Sequence, residues 1–165
     1  METTTKTDGA GKKACFIGHR NAPDTDELRN MISETVRRLI IENGVVYFLF
    51  GSRSNFDWLC HGAATELQKT YPDIRRIAYT CCHESVTMKE DKAEEERSWS
   101  KLLKHPVHIR DYDREYEYPA KYLSGRASYV ERNQAMINDS DFCIFYFDEH
   151  YLPPRRRYGK RYLSD

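Results

Sequence analysis

The run Val45-Val46-Tyr47-Phe48-Leu49-Phe50 is apolar at every position and stops at Gly51. A strand with one face in water alternates polar and apolar residues, so an unbroken apolar run has to be covered on both faces. Sheets covered on both faces are mostly parallel, and their crossovers are helices. The neighbouring sequence supplies such helices. Thr25 reads as an N-cap, Asp26 and Glu27 put negative charge in the first turn, and Leu28, Met31, Ile32, Val36, Leu39 and Ile40 recur at helical spacing until Gly44 stops them. Ser54 or Asn55 caps a second helix, with Phe56, Leu59, Cys60, Ala63, Ala64 and Leu67 facing inward until Tyr71-Pro72.

Three further short runs repeat the strand pattern: Ala14 to Ile17 ending at Gly18, Ile74 to Thr80, and Asp141 to Tyr146. Ser124 to Asp139 reads as a third helix. The spacing therefore predicts an α/β fold, a Rossmann-like open and mostly parallel sheet with helices on both faces, in three α/β/α layers. The domain is expected over 14–154, after a disordered leader at 1–13 and before a basic tail at 155–165. Residues 82–125 read as a variable insert or lid, with a charged helix from Met88 to Leu103 and a tyrosine-rich stretch from Tyr112 to Tyr122.

With 165 residues, 39% of them hydrophobic, the chain suits one domain, and a chain of that size buries roughly 70% of its unfolded surface without a staple. Lys plus Arg and Asp plus Glu number 26 each, so no global field attracts nucleic acid or an acidic membrane. The longest apolar run is far short of the roughly 20 residues that cross a bilayer. The expectation is a soluble cytoplasmic protein without a membrane partner. The five cysteines include no CxxC pair, which favours buried thiols over a metal site. No cofactor is expected.

In such sheets a ligand binds beyond the carboxyl ends of the strands, where strand order reverses. That rule selects Gly18-His19-Arg20 after the first strand, Gly51-Ser52-Arg53-Ser54 after the second, Phe147-Asp148-Glu149 after the last, and the first turns of the third helix. Gly18 and Gly51 let backbone amides come close to a ligand. Arg20 and Arg53 offer forked donors for phosphate or carboxylate, unless they pair with Asp148 and Glu149. Tyr129, Arg132 and Asn133 offer a stacking surface and polar contacts for a base. His19 reads as a loop histidine bonded to backbone, because no Ser or Cys nucleophile accompanies it. Asp57 would oppose a phosphate beside it, and reads as a cap or an acceptor for a ribose hydroxyl.

Three segments together, Cys15-Phe16-Ile17-Gly18-His19-Arg20, Phe50 to Asp57, and Ser128 to Asn133 with Asp139-Ser140-Asp141, resemble the YpsA-like branch of the SLOG superfamily. These are Rossmann-like domains related to DprA and to the LOG phosphoribohydrolases. The resemblance covers about residues 14 to 154 and implies a pocket for a nucleotide or a nucleotide-derived molecule. The PGGxGTxxE motif of the LOG enzymes is not present. Relatives usually continue with another helix and strand where this sequence stops, so a bare sheet edge covered by self-association, a homo-oligomer, is a further expectation.

Three functions compete. The first is a sensor-like binding domain for a nucleotide-type small molecule. The second is a nucleotide N-glycosidase, with Asp57, Glu131 or Glu149 as the carboxylate near the anomeric carbon. The third is single-stranded nucleic-acid binding through the tail, Arg155 to Arg161, and ranks last because the total charge balances.

Overall fold

The computed structural model describes residues 11–51, 54–81, 112–119 and 126–151. Its elements in chain order are β1 (Lys12–Gly18), α1 (Asp26–Asn43), β2 (Val45–Phe50), α2 (Asn55–Gln68), β3 (Arg75–Cys81), β4 (Arg114–Tyr118), α3 (Arg126–Asn138) and β5 (Phe142–Tyr146). The helix boundaries follow the local chemistry. Thr25 Oγ1 accepts the Leu28 N–H at 3.2 Å, and Gly44 closes α1 in the left-handed conformation at φ 69°, where a Cβ would be strained. At α2 the cap is Ser54, whose hydroxyl accepts the Asp57 N–H at 3.0 Å.

All five strands are parallel, in the order β4-β3-β2-β1-β5. The alternation of side chains along β1 and β2 builds two cores. Ala14, Phe16, Phe48 and Phe50 face α1 and α2, while Cys15 and Leu49 face α3 with Ile77, Tyr79 and Met136. The fold is thus the Rossmann-like α/β arrangement expected from the unbroken apolar runs. The chain adds β2, β3 and β4 to one side of β1 and then returns to place β5 on the other. Strand order reverses between β1 and β5, which locates the crevice beyond their carboxyl ends. Among the described residues no helix is long and apolar enough to cross a membrane.

Three features depart from the sequence reading. First, β1 begins at Lys12, inside the segment read as leader. The Lys13 N–H donates to Asp141 Oδ2 at 2.8 Å and its carbonyl accepts the Asp141 N–H at 2.9 Å, so the turn before β5 holds the start of β1. Second, Met31 is 56% exposed rather than buried in the α1 stripe, and lines a shallow apolar groove with Phe145 of β5.

Third, β4 lies within the tyrosine-rich stretch to which the sequence assigned no strand. Its sequence, Arg-Glu-Tyr-Glu-Tyr, alternates charge and ring, which suits an edge strand with one wet face. Asp113, just before it, clamps it to the sheet. Its Oδ2 accepts from the Arg76 N–H at 2.7 Å, from Arg76 Nε at 3.3 Å and from Gln68 Nε2 at 2.9 Å. Arg76 is 9% exposed and also donates to Thr65 Oγ1 at 2.8 Å. Burial alone would raise the Asp113 carboxyl, but the donations from Arg76 and Gln68 outweigh it and hold the group below its ordinary value. Residues 82–111 and 120–125, where the charged helix was expected, fall outside the described residues.

Two predictions follow from this packing. Asp113→Ala should cost about 1–3 kcal/mol in urea unfolding at neutral pH, because hydrogen bonds to a charged acceptor are lost and Arg76 keeps its burial. A folded-state carboxyl held low contributes stability that is present above the unfolded value of 3.8 and lost as pH falls through the folded one. The gap between wild type and Asp113→Ala should therefore narrow below about pH 4, and a constant gap would contradict the clamp. Gly18→Ala should also destabilise, by about 1–3 kcal/mol, because its Cβ would lie 2.6 Å from Phe56 Cγ and 2.9 Å from Phe56 Cβ. An unchanged melting temperature would show that Phe56 moves aside freely.

Candidate functional site

Four segments meet at the carboxyl rim, and direct contacts join them. The Asn55 N–H at the start of α2 donates to the Arg20 carbonyl at 2.7 Å, and Asn55 Nδ2 donates to the Ala22 carbonyl at 2.5 Å. These bonds lock the loop after β1 to the loop after β2. The loop after β5 joins through His19, whose Nε2 accepts the Asp148 N–H at 3.0 Å. That bond places the imidazole proton on Nδ1. His19 also stacks on Tyr151 with ring centroids 4.0 Å apart and 9° between planes, and meets Tyr146 edge-on at 6.0 Å. The backbone-bonded loop histidine expected from the sequence is what the geometry contains, at the point where strand order reverses.

The fourth segment is α3, which arrives from the other face of the sheet. Ser128 and Arg132, one turn apart, are 1% and 3% exposed. A Cβ on Gly51 would stand 3.0 Å from Arg132 Nε, 2.7 Å from Met136 Sδ and 2.9 Å from the Tyr79 carbonyl. Gly51 is therefore a glycine because α3 lands on the end of β2, and Gly18 is one because Phe56 of α2 lands on the end of β1. These packing reasons hold whether or not a ligand approaches the same amides.

The remaining candidates separate by environment. Arg20 is exposed on the rim. Tyr129 is 36% exposed, not core, with the Arg132 guanidinium 5.2 Å from its ring centroid. Arg132 also donates to Asn133 Oδ1 at a long 3.5 Å, so Tyr129, Arg132 and Asn133 form one cluster, as their helical spacing predicts. Ser54 is 4% exposed and engaged as the α2 cap. Ser52 and Arg53 lie outside the described residues, as does the basic tail.

The three carboxylates offered as alternatives for hydrolysis differ in burial. Asp57 is 3% exposed in the first turn of α2, beside the cap. Glu131 is half-buried on α3. Glu149 is exposed and pairs with His150 at 3.4 Å. The cap itself is Ser54, and Asp57 puts a negative charge at the helix start, where the unpaired amides of the first turn stabilise it.

Sequence reasoning passed over some of the rim. Tyr151 carries no pattern of its own, and only its stacking on His19 shows its part. Asn55, one of the two cap residues the sequence offers for α2, instead bridges two loops, and the cap is Ser54. Its Oδ1 is buried and accepts no hydrogen bond from the described residues, a condition that costs about 1–3 kcal/mol. Among the described residues no group of three or more His, Cys, Asp or Glu is arranged to hold a metal.

The segment Asp139-Ser140-Asp141 proves architectural. The Tyr79 hydroxyl donates to Asp139 Oδ2 at 2.8 Å, Ser140 Oγ donates to the Met136 carbonyl, and Asp141 holds Lys13. Burial, reinforced by the Asp139 hydrogen bond and charge, pushes the Tyr79 phenol far above its ordinary value, so it stays a donor. This turn fixes the far end of α3 and hence the reach of Arg132 at the near end.

None of the curated proteins compared with the chain matches it. A family model does, that of the YspA SLOG family, over residues 14–163. The match runs from β1 past the last described residue and takes in every segment that meets at the rim, so this chain belongs to the YspA SLOG family.

Proposed function

We propose that the rim binds a nucleotide or a nucleotide-derived small molecule and that the domain acts as a sensor-like binding module. The observation that carries this reading is Arg132, 3% exposed beside Gly51 at the carboxyl rim. A guanidinium in a water-poor setting attracts an anion more strongly than one in bulk water, and its planar fork matches a phosphate. Arg20, exposed on the loop after β1, adds a second cation, and Tyr129 in the cluster with Arg132 offers a partly exposed ring to a base. Membership of the SLOG family supports a nucleotide-related Rossmann-like domain.

The hydrolase reading has less support. Of its alternative carboxylates, Asp57 is buried at the start of α2 and Glu149 is exposed to solvent beside His150. A binding role needs only the convergent donors.

Titration calorimetry of the full chain against nucleoside monophosphates, diphosphates and cyclic or linear dinucleotides is the direct test. At least one compound should bind. Arg132→Lys, which keeps the charge and loses the fork, should weaken that binding by about 10-fold or more, and Arg20→Ala by a smaller factor because its head is solvated. Both variants should keep the wild-type circular dichroism spectrum. A folded sample that binds no member of the panel would overturn the proposal, as would binding indifferent to both substitutions.

A further inference from the structure

Cys15 of β1 and Cys143 of β5 are register partners on adjacent strands. Both side chains point to the α3 face of the sheet, and their Sγ atoms lie 3.3 Å apart. We propose that these two thiols form a peroxide-driven modification site, closing to a disulfide that ties the edge strand β5 to the centre of the sheet.

The backbone already meets the geometric requirement. Neighbouring strands run about 4.8 Å apart, and disulfides span Cα separations of about 4.4 to 6.8 Å. Closure needs each sulfur to move by a fraction of an ångström, with no shift in register. Access is asymmetric. Cys15 is fully buried, whereas Cys143 is half-buried on the edge strand, close to the 63% exposed Phe145. Hydrogen peroxide, a small neutral oxidant, would reach Cys143 first.

The reaction balances without another reagent. The Cys143 thiolate attacks one peroxide oxygen and becomes a sulfenic acid, and the departing hydroxide takes the thiol proton as water. Cys15 sulfur then attacks the sulfenic sulfur, the S–OH bond breaks, and that hydroxide leaves as water with the Cys15 proton. Two thiols and one peroxide give one disulfide and two waters.

The surroundings set rate and persistence in opposite directions. Burial raises both thiols, Cys143 to about 12 with the neighbouring Cys15 adding to the effect, so the thiolate is scarce and the first step is slow. The same lack of thiolate stabilisation leaves the reduced state without the advantage that makes some disulfides easy to reduce. Once formed, the bond should resist monothiols. Cys60 serves as an internal contrast, because it is fully buried within the other core and faces away from the Cys15 and Cys143 pair.

Tryptic mapping separates the outcomes. Cleavage after Lys13 and Arg20 isolates Cys15 in the peptide 14–20, and cleavage after Arg132 and Arg155 isolates Cys143 in the peptide 133–155. The native full chain is incubated with hydrogen peroxide, quenched by alkylation under denaturing conditions, and digested. The expected product is peptide 14–20 cross-linked to peptide 133–155, lighter than their sum by two hydrogens and separated by dithiothreitol. The oxidised protein should melt about 10 °C higher, from the long loop the bond closes, and Cys143→Ser should abolish both the cross-link and the rise. Recovery of Cys143 as sulfinic or sulfonic acid with Cys15 still alkylated would overturn the proposal. So would pairing of either residue with a different cysteine.

Discussion

Two strand ends without side chains organise this molecule. At Gly18 the missing Cβ leaves room for Phe56, which brings the start of α2 down onto β1. At Gly51 it leaves room for Met136 and Arg132, which bring α3 down onto β2 from the opposite face. Interiors packed to crystal-like density do not yield room of this kind by relaxation. A methyl group at either place would push apart layers that elsewhere fit closely. The rim exists because α2 and α3 are both held at the strand ends, and the loops between them bond to one another as a result.

The site inherits its electrostatics from that packing. Arg132 is buried because α3 is pressed against β2, and it stays near the rim because the Asp139-Ser140-Asp141 turn anchors the other end of the helix through Tyr79 and Lys13. His19 ties the β5 loop to the β1 loop through the Asp148 amide and the Tyr151 ring. A ligand seated there would meet loops already bonded to one another, which reduces the ordering cost of binding. The Cys15 and Cys143 pair lies one layer deeper between the same two strands, so its redox state would bear on how firmly β5 and its loop are held.

Much of this was legible from the chain alone because the signals were strong and local. The unbroken apolar run of β2 required cover on both faces, Thr25 and Gly44 marked the ends of α1, and the parallel topology then nominated the loops that meet. The edge strand β4 was not legible. Its charged alternation has the composition of an exposed loop, and what makes it a strand is a carboxylate, Asp113, that pairs across space with the buried Arg76 and Gln68. Met31 shows the converse case, a residue with correct helical spacing that ends up 56% exposed, because among the described residues β5 lies at the sheet edge and no further element covers this face.

Sequence by itself determined the fold class, the helix ends and the residue types at the rim, since these depend on periodicity, capping and composition within a few neighbours. Tertiary structure decided which of those residues are buried and what they do. It made Gly18 and Gly51 landing places for side chains more than thirty residues away, made Asn55 a bridge between loops, and set two cysteines 128 positions apart in contact. Burial and cross-strand register are properties of distant segments packed together, and no local pattern in the chain encodes them.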